Sequence, residues 1–246
     1  LFHLILAGTI GFIFPNNSPA QDRPVWHWNP KKEGLWMAAG ALSTGTGFWM
    51  QSRTAGLSSA AITALQPSRV PVWDRWSLNN YSLTAKKGSD LLLYGGAVLP
   101  GALLLLDPAI RRAPQKPIGI MVQAMSLNTG LVLITKHLTL RTRPYTYNSA
   151  VPLLDKMDKD ARTSFFSGHS ASMAALSFGY ASIWSAYHPD SPWKPFVWAG
   201  AATLPAAMGL LRIQAGKHFL SDVLVGYVVG ASCGYFLPRW HRIRRN

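Results

Sequence analysis

Cysteine is nearly absent: Cys233 is the only one in 246 residues, which excludes an intrachain disulfide. It falls within an apolar run and reads as a packing residue rather than a reactive thiol. Charge is scarce as well. Only 14% of the residues are Asp, Glu, Lys or Arg, against about 25% in a typical soluble domain. Acids are scarcest, 10 against 24 Lys and Arg, for a formal net charge of +14. The densest acidic group, Asp155, Asp158 and Asp160, is interleaved with Lys156 and Lys159. It reads as a solvated loop, so neither a metal nor another cofactor is expected. A basic balance suits nucleic acid, anionic lipid or a phosphorylated substrate. No nucleic-acid module is present, and the bases sit in connections between apolar runs. The pattern therefore points to a bilayer, away from nucleic acid, and to no obligate protein partner.

What is abundant is hydrophobic sequence, 48% of the chain. Mean hydropathy is modest at +0.10, but its distribution is informative. Leu1–Phe14 followed by Pro15–Gln21 resembles a secretory signal peptide or a signal anchor over residues 1–21. Six further runs follow: Gly34–Ser52, Leu91–Leu106, Pro117–Thr135, Ser167–Tyr187, Pro195–Leu211 and Phe219–Leu237. Each approaches the about 17–25 residues a spanning helix needs. The expectation is an all-α, six-helix integral membrane bundle over residues 22–246, with its active site at one membrane face. Gly226, Gly230 and Gly234 recur every four residues in the last run and predict close helix packing. Arg53–Asp90, with Trp73, Trp76 and Tyr81 among bases, reads as an interfacial connector.

Three clusters at predicted helix ends carry chemistry. Lys136 and Arg143 are two helical turns apart and suit a phosphate dianion, while Pro144 pushes Arg143 toward an extended conformation. Ser167 and Gly168 open a helix, where backbone N–H groups attract anions, and His169 follows as a proton donor. His218 and Asp222 are four residues apart, so an aspartate could hold one imidazole nitrogen and leave the other free to attack. Arg212 lies off that face on a continuous helix, and Gly216 offers the break that would return it.

These segments, 136–144, 167–169 and 212–222, resemble the three signatures of the type 2 phosphatidic acid phosphatase superfamily, which includes vanadium haloperoxidases. The family pattern is Lys-x6-Arg-Pro, Pro-Ser-Gly-His and Ser-Arg-x5-His-x3-Asp. Phe166 replaces the proline of the second and Leu211 the serine of the third. The resemblance spans roughly Asp90 to Leu237. It implies a metal-independent lipid phosphate phosphatase working through a phosphohistidine. His218 would be the nucleophile, His169 the general acid and base, and Asp222 the residue that orients His218. Lys136, Arg143, Ser167, Gly168 and Arg212 would bind the phosphate. A lipid phosphotransferase, or a non-catalytic transporter or scaffold, are the alternatives; membrane segments disfavour a haloperoxidase. Arg141 has no family counterpart and could touch a headgroup. Bases at Arg111, Arg112, Lys116 and the Arg239–Arg245 tail predict a cytoplasmic face there. The site would then face outward, toward the periplasm in a bacterial inner membrane, whereas a cleaved signal peptide would turn it inward.

Overall fold

The computed structural model describes residues 25–243. The expected signal segment therefore lies outside the described residues. Six helices of 20–25 residues dominate: α1 Pro30–Arg53, α2 Leu83–Leu106, α3 Gln115–Thr139, α4 Gly168–Tyr187, α5 Lys194–Gln214 and α6 Leu220–His241. No sheet forms among the described residues; one isolated bridge pairs Trp26 with Arg242. Local sequence sets several starts. Asn29 caps α1 with Pro30 at its first position, Ser82 caps α2, and Ser167 caps α4. Helix α2 begins well before the apolar run that announced it, so Lys86 and Asp90 lie on its first turns.

Four helical segments, those of α2, α3, α5 and α6, are long and apolar enough to cross a membrane. The count expected from sequence was six. Helix α1 carries Lys31, Lys32 and Glu33 and many Gly, Ser and Thr residues, which dilute its hydropathy. Helix α4 is diluted differently, because it is the centre of the bundle. It packs against α2, α3, α5 and α6, and 13 of its 20 residues are buried. A helix surrounded by helices needs small side chains more than large apolar ones. The large exposed apolar residues lie instead on the outer helices, such as Leu91 and Val98 of α2, Phe196 of α5 and Val228 of α6. An outward-facing apolar girdle of this kind is what lipid contact requires.

The glycine ladder on α6 packs as expected. A Cβ at Gly226, Gly230 or Gly234 would lie 2.5, 1.9 or 2.4 Å from the carbonyl oxygens of Ser167, Ala171 and Ala175. The backbones of α4 and α6 are thus in direct contact along three turns. Successive helices alternate in direction, so the ends of α1, α3 and α5 meet the starts of α2, α4 and α6 at one face. At the opposite face, buried His241 contacts Glu33 at 2.9 Å and buried His188 contacts Asp107 at 2.7 Å.

Candidate active site

The three clusters converge on a cavity of about 380 Å³ at that shared face, lined by Lys136, Arg143, Gly168, His169, Arg212 and His218. Lys86, Asp90, Asp160 and Lys217 are among the other polar residues of its wall. Lys136 sits near the end of α3 and donates through Nζ to the carbonyl of Thr163. The helix then stops: Leu140 takes a left-handed conformation, φ 45°. Arg143 therefore arrives on a loop rather than on the helix face that carries Lys136. Its ψ of 153° is the extended conformation that Pro144 imposes. Buried Arg143 donates to the Asp160 carboxylate at 2.6 Å and to the carbonyls of Asp160 and Lys217 at 2.7 and 2.9 Å.

Arg212 closes the last turn of α5. Gly216, at φ 68°, reverses the chain directly afterward, and a Cβ there would lie 2.1 Å from the Asn80 carbonyl. That turn brings Arg212 and His218 to the same cavity. Arg212 Nη1 donates to Ser89 Oγ at 3.1 Å and to Asp90 Oδ1 at 3.3 Å. Its buried Nε has no hydrogen-bond partner among the described residues, a donor left over for an incoming anion.

His218 is 1% exposed and precedes α6. Its Nδ1–H donates to the backbone carbonyl of Ser164 at 2.8 Å, so Nε2 carries the lone pair, with Arg143 Nη1 3.5 Å from it. Burial first, and then the charges of Arg143, Lys136 and Arg212, push this imidazole well below the usual histidine range. It is neutral at physiological pH. The direct contact expected from Asp222 is replaced by a relay. Asp222 Oδ2 is 3.7 Å from Nδ1; it accepts instead from Ser164 Oγ at 2.5 Å and the Phe219 amide at 2.9 Å. The reason is local: α6 starts at Leu220, so Asp222, at its third position, turns back to accept from the N-cap Phe219 amide while His218 stays outside the helix.

Ser167 also differs from expectation. It is buried, caps α4 through Oγ, and gives its amide to the Asp222 carbonyl at 3.0 Å. Its N–H is thus committed within the protein, whereas Gly168 lines the cavity. His169 faces the cavity with its Nε2 3.0 Å from Asp90 Oδ1.

Arg141 does not reach for a headgroup. It bridges two fully buried carboxylates, donating to Asp222 and, at 2.8 Å, to Asp74, and lies 4.2 Å over the Phe219 ring. Asp74 further accepts from the Ser221 amide and hydroxyl at 3.0 and 2.6 Å. The connector 53–90 therefore buttresses the site through Asp74, Asn80, Ser89 and Asp90. Only the burial of a lone acid among aromatics could have signalled Asp74, and nothing in the spacing singled out Asp90.

Among the described residues, no group of three or more His, Cys, Asp or Glu converges as a metal site. Asp160 is engaged by Arg143 and, at 3.4 Å, by Lys217. Burial would raise its carboxyl, but Arg143, Lys217 and Lys136 outweigh this and hold it below the usual range. Burial and Arg143 lower Lys217 in turn.

The profile of the PAP2 superfamily matches residues 117–246. The chain belongs to that superfamily. No curated protein matches it. Among solved structures it is similar to LpxE of Aquifex aeolicus, at 24% identity and a TM-score of 0.47, over 67% of this chain and 92% of that one. It is similar too to a transmembrane PAP2-type phosphatidylglycerolphosphate phosphatase of Bacillus subtilis. There the identity is 22% and the TM-score 0.48, over 97% of this chain and 91% of that one.

Proposed function

We propose that this chain is a membrane-embedded lipid phosphate phosphatase that works through a phosphohistidine, without a metal. The observation that carries the reading is the pairing, in one cavity, of a neutral His218 whose Nε2 bears the lone pair with His169 and three cations. Nε2 attacks phosphorus and the P–O bond to the lipid breaks, while His169 gives its proton to the departing alkoxide. Water then attacks the phosphohistidine; His169 takes a proton from it, the P–N bond breaks, and inorganic phosphate leaves. Lys136, Arg143 and Arg212 offset the charge on the non-bridging oxygens, the task a metal ion performs elsewhere. The Gly168 amide at the start of α4 is placed to assist.

All six long helices form the embedded bundle in this reading, with α4 shielded from lipid. Lys31, Lys32, Arg111, Arg112, Lys116, Lys194, Arg239 and Arg242 lie at the helix ends opposite the cavity. We read those ends as cytoplasmic, the site facing outward to the periplasm of a bacterial inner membrane; the cavity side carries as many bases outside the phosphate site, Arg53, Arg69, Arg75, Lys86, Lys87, Lys156, Lys159 and Arg162.

Purified protein is to be assayed for phosphate release from a panel of lipid phosphomonoesters and diphosphates, with and without EDTA, beside His218→Ala. Release that survives chelation and disappears in the variant is expected. Full loss with EDTA would remove the metal-free mechanism, and a normal rate in His218→Ala would remove the nucleophile. Phosphate appearing on an added lipid alcohol, rather than free, would make the chain a phosphotransferase.

A further inference from the structure

The cavity contains one carboxylate that faces the general acid and lies outside all three signature segments and outside the matched residues 117–246. Asp90, on α2, places Oδ1 3.0 Å from Nε2 of His169, on α4. The same oxygen is 3.3 Å from Arg212 Nη1, and Lys86 Nζ lies 4.0 Å from Oδ2. Two cations flank Asp90, and a carboxylate in an ion pair accepts hydrogen bonds rather than donating them. The proton between it and His169 therefore belongs to Nε2. That leaves Nδ1 as the nitrogen that faces chemistry.

We infer that Asp90 is the positioning residue of His169, fixing its ring so that Nδ1 delivers the proton to the leaving alkoxide and recovers one from water. Through both half-reactions Nε2–H stays on Asp90, and only the Nδ1 proton moves. The ring never needs to turn between acting as acid and as base. The two histidines are then held in the same way: the Ser164 carbonyl takes Nδ1–H of His218, and Asp90 takes Nε2–H of His169. The inference rests on the reading of His169 as the acid–base group.

The test compares two substrates of the full-length protein in detergent. One is an alkyl lipid phosphate, whose alkoxide needs a proton to leave; the other is p-nitrophenyl phosphate, whose phenolate does not. For Asp90→Asn, kcat/KM on the lipid phosphate should fall about 100-fold or more, within the range of a lost general acid, and on the aryl ester about tenfold or less. His169→Ala should show the same selectivity, and the double variant should be no worse than His169→Ala. Inhibition by inorganic phosphate should not weaken in Asp90→Asn.

Equal losses on both substrates, with weaker phosphate inhibition, would assign Asp90 to Arg212 alone and overturn the inference while the phosphatase reading stands. A wild-type protein that cleaves neither substrate would overturn both. If Asp90→Asn does not fold, Asp90→Glu keeps the charge but displaces it, and it must show the same leaving-group selectivity.

Discussion

The carbonyl oxygen of Ser164 lies 2.8 Å from Nδ1 of His218, nearer than the Asp222 carboxylate at 3.7 Å. The imidazole is held by main chain, and Asp222 supports that main chain rather than the ring. Ser164→Ala keeps the carbonyl and loses only the hydroxyl that donates to Asp222. Turnover should drop by about tenfold or less, equivalent to at most about 1.4 kcal/mol, while His218→Ala loses it altogether. Side-by-side kcat measurements decide; complete inactivity of a folded Ser164→Ala protein would contradict the relay.

Arg141 offers a contrast between support and substrate binding. Arg141→Met would leave Asp74 and Asp222, both fully buried, without their shared cation. Breaking a buried pair costs about 3–5 kcal/mol. The Arg141 side chain is 23% exposed, so a figure toward the low end is expected. Thermal unfolding in detergent should register the loss, whereas KM for a lipid phosphate stays near wild type. A raised KM at unchanged melting temperature would restore Arg141 to the headgroup.

Helix contact predicts its own sensitivity. Gly230→Ala would push a methyl to 1.9 Å from the Ala171 carbonyl and force α4 and α6 apart, whereas Gly34→Ala meets nothing within 4 Å. Overpacking of this kind costs about 1–3 kcal/mol. Melting temperatures of the two variants should separate clearly, and equal values would refute the direct backbone contact.

Acid should spare the nucleophile. The reactive form of His218 is neutral, and burial with Arg143, Lys136 and Arg212 lowers its proton affinity. Its protonation is therefore deferred to more acidic pH than that of an ordinary histidine. At pH 5.5, where a free imidazole is mostly charged, the His218 signal in 15N-histidine NMR, assigned with His218→Gln, should still be neutral. A charged signal there would show that the cations do not act on it. The same sign holds for stability: a depressed histidine favours the folded state above its ordinary range and withdraws that support as pH falls through its folded value.

Sequence carried most of the chemistry and the least of its scaffolding. Lys136, Arg143, His169, Arg212 and His218 were legible because spacing along one chain fixes them relative to helix ends, and they share the cavity. Pro144 and Gly216 were legible because each restricts or frees a backbone angle. Asp90 and Asp74 were not, since the His169 and Arg141 they hold are 79 and 67 residues away, and no local pattern encodes such a contact. The start of α2 was missed because Lys86, Lys87 and Asp90 look like the end of an apolar run, yet a helix that projects beyond the bilayer can carry them. The Asp222 relay was missed because a four-residue spacing implies one helical face only when both residues are in the helix.

One consequence concerns the far side of the bundle. The Ile243 amide donates to the Val25 carbonyl at 3.1 Å and the His27 amide to that of His241 at 2.8 Å, so the first and last described residues are stitched together. They lie at the end of α6 remote from His218, about 33 Å away along 22 residues at about 1.5 Å each. A probe attached at Val25 or Ile243 would therefore report from the floor of the molecule, on the face opposite the cleft.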